Sequence, residues 1–305
     1  MFSRLNSSDN QYVVADFLEL ECIRTNSGVS SLSYRSLLSI SDDEMNNDGI
    51  ESSDDASVDL LDYAIGECYN RSLCCPNLYP FETGNSSLEL KTIVSWHKEI
   101  YTFLLLTTRL NMNSQRVQAG YDGTLLFEEL CALVAKEYFG EHAQVRVFGT
   151  SVRGTFMDKV TNLLNLLSIS AQFRRPHGST GNEKDGSLDI VAWIPFADNK
   201  DSQMIALGQC KTGSNWESKL DELSVKDFFE NYSTKTPYSI PQKMFFVTES
   251  FGDYKWEWRC RKANIMFDRT RIMEYLPLQM DLVLLDKIIT WNQSALNSVD
   301  QIFNA

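Results

Sequence analysis

Gly186-Ser187-Leu188-Asp189-Ile190-Val191-Ala192-Trp193-Ile194 and, further along, Met204-Ile205-Ala206-Leu207-Gly208-Gln209-Cys210-Lys211 are the stretches on which the fold turns. Both contain apolar runs of strand length beside turn-forming residues, which predicts β-strands over residues 188–194 and 204–211. The link between them, residues 195–202, holds Pro195, Asp198, Asn199 and Asp201, the composition of a hairpin loop. A hairpin sets Asp189 beside Gln209 and Lys211. Because side chains alternate across a strand, Gln209 and Lys211 then share one face while Cys210 looks the other way.

Outward from this pair the pattern stays orderly. Residues 125–139 read as an amphipathic helix with Phe127, Leu130, Cys131, Val134 and Tyr138 on one face and Gly140 as its stop. Successive helix residues turn by about 100°, so Glu128 flanks the apolar stripe and Glu129 points to solvent. Residues 145–148 read as a short strand and 156–167 as a helix. Residues 216–232 read as one helix with Trp216, Leu220, Leu223 and Phe228 inward. A buried strand follows at 243–248, a helix at 255–262, a strand at 264–267, and a last helix interrupted near Pro277. This order predicts an α/β fold, a mixed central sheet flanked by helices.

A polar connection near residues 112–122 separates this part from what precedes it, dividing the chain into regions 1–115 and 116–305. In the first region, the β-branched and aromatic residues of 12–23 predict a strand. Residues 58–69 and 88–112 carry apolar residues at three- and four-residue steps and predict helices, giving an α+β region. Residues 41–55 are acidic, Ser- and Asn-rich and nearly devoid of apolar side chains, the composition of a solvated loop. No chemistry is assigned to this region; a regulatory or partner-binding role is its expectation.

The 305 residues carry a formal charge of −13. Residues 1–115 hold 7 basic and 17 acidic side chains, a net of −10, and the remainder 21 and 24, a net of −3. The second region is thus nearly neutral but not basic, which argues against strong unaided binding to a duplex. No apolar run approaches the roughly 20 residues that cross a bilayer. Seven irregularly spaced cysteines without a C-x-x-C pattern argue against a disulfide framework and a structural zinc site, and a reducing cytoplasm is expected. With three histidines in the chain, multi-histidine chemistry is excluded. No phosphate-cradling glycine loop occurs, so any nucleotide-driven activity belongs to a partner.

The residue types of the hairpin point to phosphodiester chemistry. A carboxylate is a hard oxygen ligand for Mg²⁺. A Gln carbonyl adds a second, weaker oxygen, and the main-chain carbonyl of Cys210 a third. A lysine alongside orients a water or stabilises developing negative charge. Asp189 followed by Gln209-Cys210-Lys211 resembles the D…(E/Q)xK signature of the PD-(D/E)xK, restriction-endonuclease-like nucleases, and in its Gln form the Mrr-like branch. Phe127-Glu128 resembles the opening of that family's first helix. Lys184-Asp185-Gly186-Ser187-Leu188-Asp189 resembles its Gly-containing turn, and residues 265–272 its closing strand-turn-helix. These features span about residues 124–285.

The resemblance implies a restriction-endonuclease-like core and a nuclease dependent on Mg²⁺ or Mn²⁺ that hydrolyses DNA. Asp189, Gln209 and Glu128 would hold metal with the Cys210 carbonyl, and Lys211 would position the attacking water. Arg153, Arg174, Arg175 and Lys184 are candidates for phosphate contacts. A prokaryotic restriction or anti-phage defence setting is implied, with DNA and a helicase or ATPase subunit, or further copies of the chain, as partners. Two other readings stand beside it: a catalytically inactive nuclease-like DNA-binding or scaffold subunit, and a nuclease for RNA. Gln209 removes one negative charge from the site, which weakens divalent binding. Trp256, Trp258, Arg259, Arg261 and Lys262 offer either a surface for gripping a strand or the face of a core helix.

Overall fold

A computed structural model describes residues 10–30, 53–92, 96–149, 154–176, 186–213, 215–252 and 255–303. Of the acidic stretch 41–55, residues 41–52 lie outside these residues, as do Arg153 and Lys184, while residues 53–55 belong to a helix and not to a loop. Among the described residues no helix is long and apolar enough to cross a membrane.

The chain is mixed α/β. Helix α1 (Gln11–Thr25), strand β1 (Val29–Ser30) and helix α2 (Ser53–Cys74) precede β2 (Phe81–Thr83), β3 (Ser87–Leu90) and helix α3 (Trp96–Arg109). The antiparallel pair β4 (Val117–Gln118) and β5 (Tyr121–Asp122) leads into α4 (Gly123–Phe139) and β6 (Gln144–Val147). Then come α5 (Phe156–Leu166), β7 (Ile190–Ile194) and β8 (Met204–Lys211). A 3-10 turn (Trp216–Lys219) and α6 (Val225–Tyr232) lie between β8 and β9 (Gln242–Val247), and α7 (Trp256–Ala263), β10 (Ile265–Phe267), α8 (Arg269–Glu274) and α9 (Leu282–Phe303) complete the order.

Strands β10-β9-β8-β7-β6 form the central sheet, with β6–β7 and β7–β8 antiparallel and β8–β9 and β9–β10 parallel. Alternation divides its side chains between two layers. Ile190, Ala192, Ala206, Met244 and Phe246 enter one core with Leu126, Phe127, Leu130 and Cys131 of α4 and Trp291 of α9. Val191, Trp193, Ile205 and Leu207 face the other way, onto α5 and α6, while Phe245 and Val247 pack under Trp216 and Leu220. At the centre there is no room for another side chain: a Cβ on Gly208 would come within 2.4 Å of Ile190 Cγ1.

The α4-side core continues without a break into Val14, Leu18, Leu61, Phe81, Tyr101 and Phe103, so the first region and the sheet share one apolar cluster. Inside it sits a charged network. Asp16 takes Arg71 Nη1 at 2.7 Å, Arg269 Nη1 at 2.8 Å and Arg109 Nε at 2.6 Å. Glu19 accepts the hydroxyls of Tyr79 and Tyr101 at 2.8 and 2.9 Å. Burial would raise the Asp16 pKa, but the three guanidinium groups outweigh it and hold the carboxyl well below its usual range.

Four expectations need correction. Residues 12–23 are helical, not a strand: Asn10 caps α1 by accepting the Tyr12 and Val13 N–H groups, and Asp16 and Glu19 need the i, i+3 spacing to reach one buried network. Residues 88–112 are not one helix, since Leu88 pairs with Val29 and Thr83 in the small sheet β1-β3-β2 and helix starts at Trp96. Residues 216–232 are broken between Lys219 and Val225, where Ser224 caps α6 through the Asp227 N–H. Tyr138, assigned to the inward face of α4, is more than a third exposed and packs edge-on against Phe267 and Tyr275.

Candidate active site

Asp189 stands where three strands meet. Its main-chain N–H donates to Gly208 O at 2.9 Å, and its carbonyl accepts from Phe148 N at 2.6 Å and Gly149 N at 3.1 Å. Its carboxylate Oδ2 accepts the Cys210 N–H at 2.7 Å. Gly186 and Ser187, both at positive φ (62° and 61°), form the turn that delivers Leu188 and Asp189 to the sheet. At Gly186 a side chain would also press on Phe228, 3.2 Å away, and so only glycine fits without strain.

Gln209 is fully buried and projects, with Lys211, from the face opposite Cys210. Gln209 Nε2 donates to Glu222 Oε2 at 3.1 Å, and Lys211 Nζ lies 3.3 Å from the same oxygen. Gln209 Oε1 is buried and has no hydrogen-bond partner among the described residues, the kind of orphan that calls for a physical account. Glu222 also meets Lys219 Nζ at 2.6 Å. Burial would raise its pKa, but the Lys219 hydrogen bond and the Lys211 charge prevail and lower it. The segment after β8 is tied to the first region, with Gly213 N donating to Thr107 O of α3 at 3.0 Å.

Glu128 is buried on α4, and its carboxylate lies against Gly149, where an added Cβ would stand 2.7 Å from Glu128 Oε2. Glu129, by contrast, is more exposed and meets Lys287 at 3.5 Å, the division expected from helix geometry. Glu128 is thereby brought beside the Gly149 end of the Asp189 junction, on the side of the α4 core. Gln209 and Lys211 leave the sheet from its other face, and Asp189 lies between. Buried Lys159 of α5 donates to Gly149 O at 2.7 Å, placing a cation next to the same junction.

Between Gln209 and Lys211, the Cys210 thiol faces Cys131 of α4. Burial, the Cys131 contact, and the carboxylates of Asp189 and Glu128 push its pKa well above the ordinary thiol value. Cys131 is raised as well, chiefly by burial. Burial that disfavours the thiolate in this way works against a nucleophilic role for either cysteine.

Arg174 and Arg175 are exposed on an extended segment held by the bridge Phe173–Ser233 and by Arg174 N on Tyr232 O at 3.0 Å. No hydrogen bond or ion pair between either side chain and the Asp189 junction is present among the described residues. Arg259 serves the interior: its guanidinium covers the Phe251 ring at 4.1 Å and its Nε donates to Glu217 at 2.8 Å. Arg261 pairs with Glu257, and Lys262 with Asp221. Of these α7 residues Arg259 is buried within the fold, whereas Arg261 and Trp258 are exposed.

Glu222 and Lys159 are the site residues that sequence reading misses. Glu222 lies in a break between helices, where a charged residue reads as surface. Lys159 sits on a helix, and its partner, the Gly149 carbonyl ten residues earlier, has no local signal in the sequence. Among the described residues no three His, Cys, Asp or Glu side chains converge as a metal-holding group. The donor set at the hairpin is of another kind, carboxylate with amide and main-chain oxygen, and the orphaned Gln209 Oε1 suits a hard cation. Comparison with protein-family models, with curated proteins and with solved structures finds no match to the chain.

Proposed function

We propose that the chain is a nuclease that hydrolyses DNA phosphodiesters with Mg²⁺ or Mn²⁺ on a restriction-endonuclease-like core. The observation that carries this reading is the β7–β8 hairpin, which sets Asp189 against the Gln209-Cys210-Lys211 backbone and leaves a buried amide oxygen without a partner. Asp189, Gln209 Oε1 and the Cys210 carbonyl would hold the cation, with Glu128 acting from across Asp189 on the α4 side of the sheet. Bound there, the cation would polarise the scissile phosphate and offset its charge. Lys211 orients the attacking water and meets negative charge as it develops on the phosphate oxygens. Glu128 and Lys159, one anionic and one cationic at Gly149, set the local field on the far side of Asp189. The nearly neutral second region supports a substrate delivered by a partner rather than captured by charge alone.

The deciding experiment incubates purified protein with supercoiled DNA, linear DNA and RNA, in Mg²⁺ or Mn²⁺ against EDTA, with Lys211→Ala in parallel. Metal-dependent cutting that is lost in the variant supports the reading, and cutting retained in the variant removes Lys211 from it. The RNA arm separates the two nuclease readings. A second reading, a nuclease-like subunit that binds nucleic acid without cutting it, is favoured by Gln209, a neutral side chain that brings no negative charge to a cation. Binding without cleavage, equal in wild type and Asp189→Asn, would decide for that alternative.

A further inference from the structure

Residues 216–223, which follow β8, are fastened at nearly every step. Trp216 Nε1 donates to Glu249, Arg259 Nε to Glu217, Lys243 Nζ to the Leu220 carbonyl, and Lys262 pairs with Asp221. Leu220 and Leu223 are buried beneath. The carboxylate this strap presents, Glu222, is thus fixed by the fold and not a wandering surface group. An exposed ion pair alone contributes little. Here, however, the carboxylate's partner is the fully buried amide of Gln209, and Lys211 shares the same oxygen.

A planar amide presents its nitrogen and oxygen at separate corners. When Gln209 Nε2 is committed to Glu222, the amide orientation is set and Oε1 is held as an acceptor with no competing donor. Resting on the nuclease reading above, we propose that Glu222 is a positioning residue, which locks Gln209 with its oxygen available to a divalent cation and keeps the Lys211 ammonium beside it. Glu222 acts through Gln209 and need not touch the cation. Its neutral isostere Gln can accept from Gln209 Nε2 or donate to Oε1, so the lock is lost while the volume is kept.

Mn²⁺ alone is the probe, titrated calorimetrically into the full chain without nucleic acid. Glu222→Gln is expected to weaken binding by about tenfold, the scale of losing a supporting partner, and the volume-conserving Gln209→Met, which removes the ligand oxygen itself, by at least as much. The double variant is expected to bind no more weakly than Gln209→Met, because the two act in series. Glu222→Asp is expected to recover part of the loss. A second background guards against a Gln209→Met chain that does not fold. In Gln209→Glu both oxygens of residue 209 are equivalent, so adding Glu222→Gln is expected to leave Mn²⁺ affinity unchanged or tighter. Independent, multiplying losses in the first cycle, or weaker binding in the second, overturn the positioning role while leaving the nuclease reading intact. Absence of Mn²⁺ binding in the wild type overturns both together.

Discussion

Arg269 Nη1 lies 2.8 Å from Asp16 Oδ1, joining helix α8 to the first helix of the chain across 253 residues. Arg269 and Asp16 are both fully buried, and each has further partners in Arg71, Arg109, Glu19 and Thr108. With Glu67, which accepts Arg71 Nε at 3.0 Å, three carboxylates face three guanidinium groups, so removing one member strands the others. Asp16→Asn is expected to cost about 3–5 kcal/mol, the scale of breaking a buried ion pair on one side. Urea unfolding followed by far-ultraviolet dichroism measures it; a loss below about 1 kcal/mol would sink the assignment.

Gly208 is required by packing, with Ile190 Cγ1 only 2.4 Å from where its Cβ would be. Gly208→Ala should therefore overpack the middle of the sheet and destabilise by about 1–3 kcal/mol. The same unfolding assay applies, and an unchanged midpoint would mean that β7 and β8 are spaced more widely than described.

At Asp189 structure and chemistry can be pulled apart. Asp189→Asn keeps an oxygen able to accept the Cys210 N–H, so the fold should survive nearly unchanged. Loss of the carboxylate should lower metal-dependent cleavage by about a hundredfold or more, since the cation contributes several kcal/mol to the reaction. Asp189→Ala should lose the same activity and also about 1.5–3 kcal/mol of stability. Equal stability of the two variants would contradict the carboxylate's role in the ladder.

Glu249 gives the pH prediction. Burial raises its pKa, and the Trp216 hydrogen bond and the charges of Arg109 and Arg269 offset this only in part. A carboxyl raised in the folded state contributes stability that is complete below its unfolded value, near 4.5, and lost as pH rises through the folded value. Glu249→Gln keeps an acceptor for Trp216 and removes the buried charge. Its thermal midpoint should exceed that of wild type at pH 8, with the advantage shrinking as the pH falls toward 4. A constant difference across that range would assign the effect to packing.

What was legible in the sequence was periodic. The alternation through Ile190–Ile194 and Met204–Lys211 placed Gln209 and Lys211 on one face and Cys210 on the other, and the helix angle separated Glu128 from Glu129. What was not legible depended on distant partners. Val13, Val14, Phe17 and Ile23 favour a strand by propensity, but the buried Asp16 and Glu19 carry charge that no local pattern marks as inward. Their guanidinium partners lie as far away as Arg269. The break before α6 had a local signal, Ser224 three residues before Asp227, which the apolar spacing of Leu220, Leu223 and Phe228 obscured. Glu222 had none, since its meaning arises only when the strap folds back over β8.

The Asp189 carboxylate completes the pairing of β7 with β8 at its Cys210 end. A one-residue slip of register would send Asp189 to the opposite face and leave that N–H without its acceptor. On the nuclease reading, strand alignment and cutting competence are then a single event. A chain paired one residue out of step would then lose its fold's last rung and its metal ligand together.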